Sequence, residues 1–217
     1  MDQKKLDQQS QYWEASFLSK PEMFGLEPSL PAVKALKLFQ EQNIKNIVEL
    51  GAGLGRDTIF FAQNSIHVEA LDYSNASIDS IANKSIKLNL TDFIKPKIFD
   101  VRKKLPFEDN SIEGCYSHML YCMALSNSDL ENLNDEICRI LKPGGINIYT
   151  VRHTDDGDYK NGIHRGEDLY ENDGFIVHFF SKEKVDQLSK GFEVLDIEKF
   201  EEGKFPRKLF IVKNRKL

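Results

Sequence analysis

Short, nearly continuous apolar runs alternate along the chain with longer stretches in which apolar residues recur every three or four positions. The runs at about 46–50, 67–71, 96–99, 112–117 and 146–151 have the length of buried strands. Between them lie three segments with helical spacing: Ile59, Phe60 and Phe61 within 55–64; Ile78, Ile81, Ile86 and Leu88 after Ser74; and Leu130, Leu133, Ile137, Ile140 and Leu141 within 128–141. Ser74 suits the N-cap of the second helix, and Pro143-Gly144-Gly145 suits a stop after the third. Alternation this regular predicts a parallel sheet covered by helices on both faces.

The two ends depart from that rhythm. Residues 1–20 carry Leu6, Tyr12, Trp13, Phe17 and Leu18 in a helix-like pattern, broken by Pro21, Gly25 and Pro28. Pro31 then opens a helix that reaches about Asn43, with Val33, Leu36, Leu38 and Phe39 on its apolar face. Residues 152–180 read as irregular and are rich in Gly, His, Asp, Tyr and Phe. A helix at about 181–190 follows, and then two strands, about 192–200 and 206–213, joined by Glu201-Glu202-Gly203-Lys204. Strands in direct succession form a hairpin, so the last strand runs antiparallel. The expectation is a doubly wound, seven-stranded α/β fold, mostly parallel. Without repeats or low-complexity linkers, residues 1–217 read as one domain. A helical cap at about 1–30 and a lid-like insertion at about 152–180 complete it.

Composition narrows the class. With 41% hydrophobic and 29% charged residues the chain is globular in type. A net charge of -5 leaves no basic surplus for nucleic acid. Met1–Ser10 lacks the apolar core of a secretory signal, and no apolar run approaches the ~20 residues of a membrane span. A cytoplasmic protein without a membrane partner is expected. Cys115, Cys122 and Cys138 are odd in number and form no C-x-x-C pair, so they read as reduced, mostly buried thiols.

The chemistry is concentrated where the first strand meets its helix. Lys45 to Asp57 reads KNIVELGAGLGRD, an apolar run ending in Gly51, Gly53 and Gly55. A strand turning tightly into a helix presents free backbone N–H groups, and Gly51 and Gly53 let a ligand approach them closely. This predicts a nucleoside-type cofactor. A nicotinamide or flavin fingerprint, G-x-G-x-x-G, would place its third glycine at 56, where Arg56 stands. Asp72 lies about 20 residues beyond the loop at a strand end, where a carboxylate can hold both ribose hydroxyls.

Several blocks in order resemble the class I S-adenosylmethionine-dependent methyltransferases, and among them the small-molecule UbiE-like or "type 11" group. They are Val48 to Gly55, Leu71-Asp72-Tyr73-Ser74, Phe99-Asp100-Val101 with Leu105-Pro106-Phe107 and Asp109-Asn110-Ser111, and Leu141-Lys142-Pro143-Gly144-Gly145. The resemblance implies a Rossmann-like sheet and S-adenosylmethionine as cofactor, with S-adenosylhomocysteine as product. It implies that Gly51, Ala52, Gly53 and Gly55 pack against the methionine part, and that Glu49 orients the loop or reaches the amino group through water. Asp72 would hold the ribose, Tyr73 cover the adenine face, and Asp100 accept from the adenine amine with the Val101 backbone beside it. Ser117, closing the fourth strand, would also lie on the cofactor. One departure is Glu113, where the family often has Asp; a structural role is expected there.

Methyl transfer requires the acceptor, methyl carbon and sulfur in line, and a base where the acceptor is a hydroxyl or amine. His118, His153 and His164 follow strands or lie in the irregular segment and are candidates for acceptor contact, whereas His67 belongs to the opposite edge. Residues 162–170, with Phe175, His178, Phe179 and Phe180, read as a lid over the acceptor. Arg152 or Arg165 is placed to pair with an acceptor carboxylate or phosphate. Tyr12 and Trp13 are further candidates from the N-terminal helix. His153, His164, Glu167 and Asp168 match no compact ligand spacing, so no metal is expected. The expected function is methyl transfer to a small molecule. A non-catalytic S-adenosylmethionine-binding protein and a nicotinamide-dependent oxidoreductase stand as alternatives. The acceptor atom and the oligomeric state stay open.

Overall fold

The apolar run at Asn46–Leu50 (β1) lies near the centre of a twisted sheet in a computed structural model that describes residues 3–203 and 207–217. Strands His67–Asp72 (β2), Ile94–Ile98 (β3), Ile112–Ser117 (β4) and Leu141–Arg152 (β5) join it in parallel. The helices between them are Arg56–Gln63 (α4), Asn75–Lys87 (α5) and Asn127–Ile140 (α6), preceded by Gln3–Asp7 (α1), Gln9–Ser19 (α2) and Leu30–Glu41 (α3). Ser74 caps α5 by accepting from the Ser77 N–H, as its position suggested.

Alternating strand residues feed two cores. Ile47, Val68, Tyr116 and Ile148 pack with α3, α4 and α5 on one face. Val48, Leu71, Cys115 and Tyr149 pack on the other with α6 and Lys182–Gln187 (α7). Helices therefore cover both faces. The last two strands, Phe192–Glu202 (β9) and Arg207–Lys216 (β10), form the expected hairpin, and β10 inserts between β5 and β9, antiparallel to both. The strand order is β3-β2-β1-β4-β5-β10-β9. Lys204 and position 206, assigned to the turn and the last strand, lie outside the described residues.

Two expectations change. The N-terminal pattern splits into α1 and α2. Residues 152–180 are not irregular throughout: Ile163–Gly166 (β6), Leu169–Asn172 (β7) and Phe175–His178 (β8) form an antiparallel meander. Its turns use left-handed Glu167 and the Asp173-Gly174 pair. Among the described residues no helix is long and apolar enough to cross a membrane.

Candidate active site

The strand order reverses between β1 and β4, and there the carboxyl ends of the strands open a crevice. The glycine loop forms its floor. Gly51 and Gly53 adopt left-handed φ of 69° and 53°. The N–H groups of Gly51 and Ala52 donate to the Leu71 carbonyl at 2.8 and 3.1 Å, folding the loop onto the end of β2. Asp72 completes the tie: Oδ2 accepts from the Gly53 N–H at 2.8 Å and Oδ1 from the Ser74 N–H at 2.9 Å. Burial raises the Asp72 pKa to about 6, although these hydrogen bonds pull it down. Glu49 lies beneath the loop and accepts from Thr58 Oγ1 at 2.6 Å. Burial, reinforced by nearby Asp57, pushes its pKa well above the carboxylate range.

The crevice encloses about 590 Å³. Tyr73, Phe99, Val101 and Leu120 make an apolar slot at one end. His118, Arg152, Glu202 and Arg207 make the other end polar. Trp13, Phe17, Phe24 and Phe175 roof it. Trp13 packs on Phe175 with ring centroids 4.9 Å apart, joining α2 to β8 above the opening.

Of the residues assigned to the cofactor, Glu49, Gly51, Ala52, Gly53, Asp72, Tyr73 and Val101 line this cleft. Asp100 lines a small recess beside it, with Arg102 Nε at 3.0 Å and Nη2 at 2.7 Å. Burial raises the Asp100 pKa, but Arg102 outweighs that and the net shift is downward. Gly55 and Ser117 do not line the cleft. Gly55 is left-handed at φ 82°, and a Cβ on it would sit 2.6 Å from Ile81 Cγ1, so it serves the α4–α5 contact. Ser117 is fully buried, and its hydroxyl has no partner among the described residues.

The acceptor candidates divide similarly. His118 lines the cleft, with Nδ1 2.9 Å from Thr150 Oγ1 and Nε2 3.2 Å from Glu202 Oε2. Arg152 also lines it, but its guanidinium is held by Asp156 and, at 2.6 Å, by Asp158. His153 turns away: it is buried against Phe210, and Nδ1 accepts from the Asp155 N–H. His164 is exposed on β6 and stacks on Tyr170. The Tyr12 hydroxyl donates to the Asp173 carbonyl at 2.5 Å and stays outside the cleft, where Trp13 enters instead. Arg165 pairs with Glu171, and Asp168 accepts from Tyr159 and Lys184.

Further residues that the sequence did not assign to the site also line it, among them Arg56, Glu202 and Arg207. Arg56 donates to the Phe24 carbonyl at 2.9 Å and stands 3.9 Å from Glu202 Oε1. Its position just after the loop was a signal in the sequence. Glu202 and Arg207 come from the β9–β10 hairpin, and only the insertion of β10 beside β5 brings them to the cleft. No local motif marks them.

Residues 47–145 match the methyltransferase domain family. Phosphoethanolamine N-methyltransferase 1 of Triticum aestivum is 35% identical over 156 residues, covering 69% of this chain and 30% of the relative. Phosphoethanolamine N-methyltransferase 1 of Zea mays is 33% identical over 116 residues, covering 52% of this chain and 22% of the relative. The chain thus spans less than a third of the length of these curated relatives. Among solved structures, the 1,6-didemethyltoxoflavin-N1-methyltransferase of Burkholderia thailandensis, bound to 1,6-didemethyltoxoflavin and S-adenosylhomocysteine, aligns with a TM-score of 0.71 at 16% identity. That alignment covers 98% of this chain and 86% of that one. The [4+2]-cyclase SpnF aligns with a TM-score of 0.71 at 16% identity over 95% of this chain and 93% of its own. At such identities the likeness is one of fold, and a cyclase among the neighbours shows that the fold does not dictate the reaction. The domain match runs from β1 through the glycine loop and Asp72 to the turn at Gly145, so residues 47–145 form a methyltransferase domain, set in a seven-stranded fold shared with the S-adenosylhomocysteine-bound methyltransferase.

Proposed function

We propose that this chain binds S-adenosylmethionine and transfers its methyl group to a small-molecule acceptor. The observation that carries the reading is a single cleft with two chemically distinct ends, the glycine loop and Asp72 toward one and His118, Glu202 and Arg207 at the other. The residues suit the cofactor. Each Asp72 oxygen accepts one backbone N–H and the Ser77 side chain also approaches the carboxylate, whose four acceptor positions still leave room for the ribose hydroxyls. Tyr73, Phe99, Val101 and Leu120 offer the adenine an apolar slot. The cofactor, when bound, supplies an electrophilic methyl carbon. The chain's part is to align the acceptor with it and exclude water. Helices α1 and α2 and the β6–β8 meander are the elements we assign to that cover.

The names of the curated relatives make nitrogen the leading acceptor atom and phosphoethanolamine the first substrate to try. Titration calorimetry tests the cofactor: micromolar binding of S-adenosylmethionine and S-adenosylhomocysteine is expected, and folded protein giving no heat with either refutes the reading. Labelled S-adenosylmethionine, supplied with phosphoethanolamine and with a metabolite extract, then identifies the product by mass.

A further inference from the structure

Among the described residues, the acceptor end of the cleft contains one carboxylate oxygen without a hydrogen bond and one guanidinium without an ion pair. Thr150 Oγ1 accepts from the Met119 N–H at 2.8 Å, so its own proton is available to His118 Nδ1 at 2.9 Å. His118 Nε2–H then donates to Glu202 Oε2 at 3.2 Å. A cationic His118 would donate from both nitrogens to the same partners. In either state neither ring nitrogen keeps a lone pair for an acceptor, so His118 is not a free base here. Glu202 Oε1 is different. Among the described residues its nearest cation, Arg56 Nη2, is 3.9 Å away, beyond hydrogen-bonding reach. Arg207 sits directly opposite Glu202 in the hairpin register, is exposed, and lines the same cleft. Among the described residues no carboxylate lies within ion-pair distance of it, whereas Arg152 is held by two aspartates.

We propose that the β9–β10 hairpin is the acceptor-recognition element, with Glu202 receiving an amine and Arg207 an anionic group on the same small molecule. This rests on the methyl-transfer reading above and names its substrate class: a short amine bearing a phosphate or a carboxylate. The amine enters as its free base. Its lone pair forms the new C–N bond while the C–S bond breaks, and the electron pair of that bond passes to sulfur to give a neutral thioether. Positive charge moves from sulfur to nitrogen, and the N–H proton stays on nitrogen and donates to Glu202 Oε1. A fixed carboxylate at that position stabilises the charge as it develops. His118, acting through Glu202, is a positioning residue.

The test uses the full chain with labelled S-adenosylmethionine and three kinds of probe: aminoalkyl phosphates, ω-amino acids of two and three carbons, and the parent amino alcohols. The two anionic series distinguish phosphate from carboxylate recognition. Glu202→Gln is expected to lower kcat about tenfold or more, and Arg207→Gln to raise KM for the anionic amines about tenfold while leaving the amino alcohols unchanged. Affinity for S-adenosylhomocysteine and the melting temperature stay at wild-type values in both variants. Wild-type kinetics in both variants overturn the proposal. So does a wild-type protein that binds the cofactor and methylates none of these amines. Failure to bind the cofactor at all refutes the methyl-transfer reading itself, and this proposal with it.

Discussion

Asp72 performs two tasks with one carboxylate. It fastens the glycine loop to β2 through the Gly53 and Ser74 N–H groups, and it faces the cleft. Burial raises its pKa from 3.8 to about 6, against those hydrogen bonds. The folded chain therefore holds this proton more tightly than the unfolded chain. Between about pH 4 and 6 the folded state binds more protons, so this group's contribution to stability declines as pH rises through that window, by up to about 3 kcal/mol. Ribose hydroxyls would donate to the ionised form, so affinity for S-adenosylhomocysteine is expected to strengthen as pH rises through about 6. Asp72→Asn should flatten both dependences and weaken binding at neutral pH about tenfold or more. Urea unfolding and calorimetry across pH 4.5 to 7.5 measure the two slopes; an unchanged slope in the Asn variant refutes the assignment. Asp72 was legible because a strand end, a glycine loop and a spacing of about 20 residues converge on it. Ser117 was not, because position at a strand's end does not tell which way the side chain turns.

Gly55 shows how an element's packing can imitate a binding motif. It belongs to the glycine series in the sequence, yet its left-handed φ of 82° and its approach to Ile81 serve the α4–α5 contact. Gly55→Ala is expected to cost about 1–3 kcal/mol from backbone strain and overpacking. Adding Ile81→Ala should produce a double variant less destabilised than the sum of the two. S-adenosylhomocysteine affinity should change little, since neither residue lines the cleft. Equilibrium denaturation with calorimetry separates these outcomes. The junction of α2 with β8 makes a second prediction at this scale. Gln9 donates to the Gly174 carbonyl at 2.8 Å and accepts from the Ile176 N–H at 3.1 Å. Gln9→Ala leaves that buried N–H unpaired, at about 1–3 kcal/mol. Hydrogen exchange should accelerate in α2 and β8, while β1 and β4 keep wild-type protection. The central strands and helices were legible because their apolar periods are long. The β6–β8 meander was not: its strands have only four residues each, and β6 is largely exposed, so no alternation develops.

Across the whole molecule, the ease of reading the site follows contact distance along the chain. The cofactor end draws on residues 49–73 and 99–101, contiguous blocks whose spacing survives in the sequence. The acceptor end joins His118 to Glu202, 84 residues apart, and only the topology of the last hairpin supplies that meeting. The same topology predicts how unevenly stability is distributed. β10 is an interior strand: Leu209, Ile211 and Val212 are essentially fully buried, and Ile211 and Val212 enter opposite cores. It also pairs along seven registered positions with β5. A chain ending at Gly203 would lose both, expose the outer edge of β5 and leave β9 without a neighbour. Such a chain is expected to show no cooperative thermal transition. Helices α1 and α2 contribute far less. Leu6 belongs to a small cluster with Ala124, Leu169 and Ile176, and Phe17 packs on Trp13 and Phe24 in the roof. A chain beginning at Lys20 should therefore retain a cooperative transition, at a lower melting temperature. It should bind S-adenosylhomocysteine more weakly, because Trp13 and Phe17 no longer roof the cleft. Calorimetric melts of the two truncations, with and without ligand, test the contrast. Loss of cooperativity in the N-terminal truncation, or its survival in the C-terminal one, would show that the sheet does not hold the fold together in this way.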